Sequence, residues 1–382
     1  MKIREVEIFR VGSGSGWSPV IVRVNTDEGI SGVGEVGLAY GVGASGGVGM
    51  VRDLAERIVL GTDPFRIEHV WDRMFRHTFW GTGGGPIVYG AMSAIDEALW
   101  DIKGKALGVP VHELLGGRCR DGLRVYANGW YHGIADPAEY GTFCQRLQED
   151  GYTATKFDPF AVRPDGVEEP PEGRLDRERM EAACERVAAA REAAGPDFDI
   201  LIEAHGNLDT VSAIRAGRRL EEFEPLFYEE PVHAMNVECM KEVARNVDIP
   251  LAAGERLYTR YGFRPYVESQ CIQVLQPDMG LAGGITEVKK IAAHAATYNL
   301  HVQPHNCGGP VATAAAVQLD AAIPNFLIQE VFPFRGEDTL AIVTEPLEER
   351  VTDGQLPVPL DPGLGVELND EYLSKHRCET VS

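Results

Sequence analysis

The chain has 382 residues, 44% of them hydrophobic, enough to bury a large core and to exceed one average domain. Its formal net charge of −22 opposes binding to nucleic acid or to an anionic membrane, both of which need basic surface. It contains no run of about 18 apolar residues, and the opening MKIREVEIFR lacks the apolar centre of a signal segment, so a soluble cytoplasmic protein is expected.

The seven cysteines are odd in number, scattered and never in CxxC spacing, which suggests neither a disulfide framework nor a zinc site. Only 8 of the 36 basic residues are Lys. A carboxylate-rich, Lys-poor surface suits high salt, where screening over about 3 Å at 1 M removes self-repulsion. The alternative is an ordinary acidic protein that prefers Arg.

In chain order, KIREVEIFRV, PVIVRVNT and ISGVGEV predict three strands, with the turn TDEG between the second and third. DPFRIEHVWDRMFR and PIVYGAMSAIDEALWDIKGKALG predict helices, the second opening on Pro86 as a first-turn residue. Residues 1–122 are thus expected to form an α+β domain ahead of the rest. Its two glycine-rich connections, Gly12 to Gly16 and Gly37 to Gly49, are expected to be mobile lids. GSGSG does not fit a dinucleotide loop, because no strand-turn-helix context with a later acidic residue follows it.

From LRVYANG onward the pattern changes to short apolar strands that each end in a polar residue. YTATK ends at Lys156, DILIE at Glu203, LFYE at Glu229, IPLAAGE at Glu255, QVLQPD at Asp278, HVQPH at His305 and FLIQE at Glu330. Glu203, Glu229 and Glu255 stand 26 residues apart each time, the length of one strand, one helix and two loops. Polar groups at the C-terminal ends of successive strands predict a parallel barrel with its active site at that mouth. The barrel is expected from Leu123 to about residue 355, with the Pro/Gly/Glu-rich loop FAVRPDGVEEPPEGR above the mouth. Residues 356–382, beginning LPVPLDPGLGVELN, are expected to pack back on the first domain.

Three carboxylates on adjacent strand ends make an all-oxygen site, the preference of a hard cation, Mg²⁺ first. Glu230 follows Glu229 directly, so EEP alone leaves the choice between them open. His305 ends one strand and Asp278 the strand before it. An Asp bonded to one ring nitrogen fixes the tautomer and raises the basicity of the other, as a general base requires.

EAHG, FYEEPV, AAGER, LQPD and FLIQE, in this order, resemble the enolase superfamily and, within it, the mandelate racemase-like branch. AIDEALWDIKGKALG and HELLGGR extend the likeness over the whole chain. The resemblance implies an α/β fold, a modified TIM barrel (β/α)7β with an N-terminal α+β capping domain. It implies Glu203, Glu229 and Glu255 as Mg²⁺ ligands and the His305–Asp278 pair as the base. Asp is frequent in the family where this chain has Glu203. Racemases of the branch carry Lys-x-Lys on the second barrel strand; here Lys156-Phe157-Asp158 lacks the second ammonium, which disfavours two-base racemisation and leaves Lys156 to bind the substrate carboxylate. His205 lies two residues beyond Glu203, so alternation sends both side chains toward the mouth. Sugar-acid dehydratases of the branch are similar in having His there, where it protonates a departing C3 hydroxyl.

YANGWY, KFDPF, EAHG and GERL look most like archaeal-type gluconate or galactonate dehydratases. The resemblance therefore implies dehydration of an aldonic acid to its 2-keto-3-deoxy acid, with Glu330 hydrogen-bonding the substrate carboxylate; Asn128, Tyr131 and Trp17 are candidates for the polyol end. An epimerase or cycloisomerase on a similar acid sugar is the alternative chemistry, and a non-catalytic scaffold the alternative class. The expected partner is a small sugar acid, with neither nucleic acid nor membrane, and the expected assembly a homo-oligomer.

Overall fold

The computed structural model describes residues 1–12 and 16–382; most of the expected lid between Gly12 and Gly16 lies outside the described residues. An antiparallel meander of β1 (Ile3–Arg10), β2 (Val20–Thr26) and β3 (Ser31–Val36) is followed by α1 (Ala44–Leu54), α2 (Ile67–Arg76) and α3 (Gly85–Leu107). The two faces of β3 do different things. Gly32 and Gly34 lie flush on α3, where an added Cβ would stand 2.1 and 2.0 Å from the backbone oxygens of Ala98 and Ala94. Val33 and Glu35 point the other way, and Val33 packs into the core beneath the barrel helices.

The second expected lid, Gly37 to Gly49, is corrected in part. Helix α1 begins at Ala44 and includes Gly46, Gly47 and Gly49. These glycines serve close packing: a Cβ on Gly47 would lie 3.0 Å from Val36, and one on Gly46 2.9 Å from Ile87.

After α4 (Val111–Leu114) strands and helices alternate: β4 (Gly122–Ala127), α5 (Pro137–Glu149), β5 (Ala154–Phe157), α6 (Arg177–Ala194), β6 (Asp199–Glu203), α7 (Thr210–Leu220), β7 (Phe227–Glu229), α8 (Val237–Ala244), β8 (Leu251–Ala253), α9 (Thr259–Ser269), β9 (Val274–Leu275), α10 (Gly284–Ala296), β10 (His301–Val302), α11 (Pro310–Ala322) and β11 (Gln329–Val331). The strands run parallel in the order β10-β9-β8-β7-β6-β5-β4-β11. The sheet curls until its ends meet: the Val302 N–H donates to Asn325 O at 2.9 Å, and the Leu327 N–H to Val302 O at 3.0 Å. Seven β/α units and a last strand, preceded by the strand-and-helix cap, are the architecture expected from the sequence.

Beyond the barrel come α12 (Glu337–Leu340), β12 (Gln355–Pro357), α13 (Asp370–Leu373) and β13 (Arg377–Val381). β12 pairs with β4 and β13 with β1, both antiparallel, so the end of the chain touches both bodies. Trp71 and Trp100 of the cap also reach across, their indole N–H groups donating to Gly283 O and Thr286 Oγ1 at 2.8 Å each.

Inside the barrel, Tyr126, Ala154, Leu201, Phe227, Ala252, Val274 and Ile328 form an apolar plug. Two residues farther along their strands stand Lys156, Glu203, Glu229 and Glu330, carried to the mouth by the period of two. Strands β9 and β10 stop sooner than the sequence suggests, at Leu275 and Val302. Pro277 and Pro304 follow, and proline cannot donate to a ladder. Asp278 and His305 therefore sit on loops, three residues past their strands. Among the described residues, no helix is long and apolar enough to cross a membrane, and all seven cysteines are free.

Candidate active site

Glu255 reaches the mouth by a different route from Glu203 and Glu229. The position in phase with Ala252 is Gly254, where φ is 153° and a Cβ would lie 2.7 Å from the Gln276 backbone. Only glycine fits that approach, and the turn it makes swings Glu255 inward. One carboxylate oxygen from each of Glu203, Glu229 and Glu255 then lies within 4.8 Å of the others. Glu230 stays outside the cluster, buried and paired with the Arg256 guanidinium, which also bridges to Glu255.

Lys156 projects its ammonium into this cluster. Its Nζ is 2.9 Å from both Glu229 oxygens, 3.0 Å from Glu330 and 3.7 Å from Glu203. A single ammonium among several buried carboxylates leaves negative charge in excess. Burial, and next the charge on Glu203, hold the Glu229 carboxyl well above its ordinary range. A close set of carboxylate oxygens with too little positive charge is the donor set a hard divalent cation matches.

Each mouth histidine is backed by an aspartate. His305 Nδ1 lies 2.7 Å from Asp278 Oδ2, and its Nε2 3.1 Å from Glu255 Oε2. His205 Nδ1 lies 2.7 Å from Asp158 Oδ2, with the ring 36% exposed. The His205 backbone is left-handed, φ 49°, a conformation held by its own N–H and that of Ala204 donating to Glu203 Oε1 at 2.5 and 2.9 Å. Desolvation opposes charge on the His205 ring, but the Glu203 carboxylate and the Asp158 hydrogen bond outweigh it and push its pKa up to about 10. Strands β6 and β10 are four places apart either way around eight, so His205 and His305 face each other across the mouth.

Glu330 is fixed on two sides. Asn128 Nδ2 donates to its Oε1 at 2.7 Å and the Asn306 N–H to its Oε2 at 2.8 Å. Burial opposes its charge, yet Lys156 and His305 hold its carboxyl below the usual range.

The three residues expected at the polyol end are placed differently from one another. The Asn128 amide is engaged by Glu330. Tyr131 is buried in the field of Asp158, Glu203 and Lys156. Trp17 lies on the cap, bridged to Tyr40, with its ring 5.8 Å from Tyr40 and 5.7 Å from Phe332, under the Arg335 guanidinium at 4.6 Å.

Asp158 is the functional neighbour that sequence reasoning missed, since it was considered only for the ammonium it replaces. Asp158 follows the last residue of β5 and His205 lies two residues past β6, so the two meet only because these neighbouring strands end side by side. Tyr40, Phe332 and Arg335 meet only where cap and barrel pack, and no local pattern marks them.

Residues 139–372 match the Enolase C-terminal domain-like family, and residues 8–116 the Mandelate racemase / muconate lactonizing enzyme, N-terminal domain family. Over 381 residues the chain is 41% identical to the D-galactonate dehydratase of Variovorax paradoxus and 38% identical to that of Pectobacterium atrosepticum, in each case over 98% of this chain and 94% of that protein. A crystal structure of an enolase superfamily member from Salmonella Typhimurium superposes with a TM-score of 0.95 at 45% identity, covering 100% of both chains. The mandelate racemase/muconate lactonizing enzyme from Jannaschia sp. CCS1 superposes with a TM-score of 0.89 at 34% identity, over 99% of this chain and 98% of that one.

Proposed function

The chain belongs to the enolase superfamily, in its mandelate racemase/muconate lactonizing enzyme branch, and on that footing we propose that it is a Mg²⁺-dependent hydro-lyase. Its substrate is an aldonic acid such as galactonate or gluconate, and its product the 2-keto-3-deoxy acid. The galactonate dehydratases it is similar to support the substrate class. The observation that carries the reaction type is the pair of Asp-backed histidines on opposite walls of one carboxylate-lined mouth.

Removing a proton next to a carboxylate places further charge on a group that is already an anion. Mg²⁺ held by Glu203, Glu229 and Glu255 would neutralise that developing charge when bound. Lys156 supplies a fixed positive end for the substrate carboxylate, and Glu330, ionised beside Lys156 in the free protein, hydrogen-bonds that carboxylate on taking up a proton. Asp278 accepts from His305 Nδ1, and Nε2, which faces Glu255 Oε2 at 3.1 Å in this structure, is the nitrogen that takes the C2 proton once it exchanges that contact for the substrate. Asp158 likewise holds His205 Nδ1, which leaves Nε2 to deliver a proton to the C3 hydroxyl as it departs. Acid and base then act from opposite sides of the substrate. Racemisation or epimerisation by two bases has less support, because the position of a second ammonium is Asp158. Tyr131 and Trp17 serve the polyol end in this reading. The cap comprises residues 1–122 completed by 356–382, and the barrel residues 123–355, a division that the β1–β13 pairing supports.

The test is a panel of five- and six-carbon aldonic acids with Mg²⁺, followed for 2-keto-3-deoxy product. His205→Asn should stop product formation while the C2 proton still exchanges for deuterium in D2O; His305→Asn should stop both. A product of unchanged mass, or proton exchange surviving in His305→Asn, overturns the assignment.

A further inference from the structure

We propose that Glu35, a residue of the cap, is a positioning residue for His305. It clamps from outside the barrel the loop that carries the base. The inference rests on His305 being the base of the reaction proposed above.

Helix α11 begins immediately after that loop and has no cap of its own. Its N-cap is Gly309, which has no side chain, and Pro310 follows. The first N–H groups of a helix need acceptors from somewhere. Here they come from the other domain: the Gly309 N–H donates to Glu35 Oε1 at 2.5 Å and the Ala312 N–H to Glu35 Oε2 at 3.1 Å. Space is made for the carboxylate, since a Cβ on Gly309 would lie 3.0 Å from Glu35 Oε2. Glu35 is itself pinned, its own N–H donating to Glu97 Oε2 of α3 at 2.9 Å.

Gly309 is four residues from His305. Within the barrel the same loop is held by the Asn306 N–H on Glu330 Oε2 at 2.8 Å, and by Asn306 Nδ2 on Thr313 Oγ1 at 2.9 Å. The segment from His305 to Gly309 is thus strung between the floor of the mouth and the cap, and the base takes its place only with the cap seated. A neutral cap on the helix itself would satisfy the same N–H groups without burying a charge. Burial pushes the Glu35 carboxyl up to about 7, against the two backbone donors. Retaining an ionisable group there makes sense if it serves alignment, because a misplacement of about 1 Å in a catalytic group lowers turnover by up to about 10²-fold.

Glu35→Gln replaces one acceptor oxygen by an NH2 that opposes a backbone N–H. Glu35→Asp keeps the charge but is one methylene short. Both are tested in the full chain with Mg²⁺ and the acid turned over in the panel. Glu35→Gln should lower kcat and C2 proton exchange by the same factor, about 10- to 10²-fold, with KM within about twofold. Glu35→Asp should repeat the pattern at smaller amplitude, and it decides the matter if Glu35→Gln shows no cooperative unfolding transition. A folded variant with kcat and exchange within about twofold of the parent, or one changed in KM alone, overturns the proposal. His305→Asn is run in parallel. If it keeps exchange, the role of His305 fails and this inference with it; if it loses exchange while folded Glu35 variants keep theirs, the positioning role alone fails.

Discussion

Replacing Asp158 by Asn removes a charge from the His205 pair with almost no change in side-chain volume. Asp158 is 1% exposed, its Oδ2 lies 2.7 Å from His205 Nδ1, and its Oδ1 accepts the Phe160 N–H at 2.8 Å. Asn has one oxygen, so it can serve Phe160 or the ring but not both. If the oxygen stays with Phe160, the NH2 faces Nδ1 and turns the ring into the neutral tautomer with its proton on Nε2, a much weaker acid than an imidazolium. A lost charge-assisted hydrogen bond is worth about 1.5–3 kcal/mol. At about 1.4 kcal/mol per tenfold, loss of the C3 hydroxyl should slow by roughly 10- to 150-fold. The Asp278–His305 pair stands across the mouth and is untouched, so C2 exchange should stay within about twofold. The assay pairs 2-keto-3-deoxy product formation with deuterium incorporation at C2 by NMR. Dehydration at the parent rate, or equal loss of product and exchange, would refute the assignment of Asp158 to the acid limb.

Glu229→Gln removes one of three clustered carboxylates, and since a bound metal contributes several kcal/mol to such chemistry, turnover should fall by at least about 10³-fold with the fold intact; full activity with unchanged Mg²⁺ dependence would rule out the metal assignment. Gly254→Ala places a Cβ 2.7 Å from the Gln276 backbone at a φ of 153°. It should destabilise by about 1–3 kcal/mol and displace Glu255; calorimetry and Mg²⁺ titration report the two effects separately. Burial raises the Asp96 carboxyl from 3.8 to about 7, with Oδ1 unpartnered and Oδ2 accepting the Thr286 N–H at 2.9 Å. A raised folded pKa means stability present below the unfolded value and lost as pH climbs through about 7. Asp96→Asn should therefore gain on the parent as pH rises from about 4 to about 7, by up to roughly 4 kcal/mol, and hold that gain above; a melting-temperature difference that is flat with pH contradicts this. If the acidic surface is a high-salt adaptation, the melting temperature should rise from low to molar KCl as repulsion is screened; no change marks an ordinary acidic protein.

The repeating strand-end pattern was legible in the chain because barrel strands alternate inward and outward with a period of two. Once Ala154, Leu201, Phe227 and Ile328 are inward, Lys156, Glu203, Glu229 and Glu330 must be inward one layer higher. Local chemistry therefore determined the fold class and most of the carboxylate cluster. It did not determine how Glu255 joins, because that residue is out of phase and depends on Gly254 passing against the Gln276 backbone. Nor did it reveal Asp158 beside His205, since residues 47 positions apart meet only once β5 and β6 pair in register. Gly37 to Gly49 looked like a lid because glycine reads as freedom in isolation, whereas Gly46 and Gly47 are small so that α1 can press on Ile87 and Val36. The contact between Glu35 and the start of α11 spans 274 residues. Nothing near either end of the chain's path announces it, and only the docking of the cap on the barrel decides which N–H groups that buried carboxylate will serve.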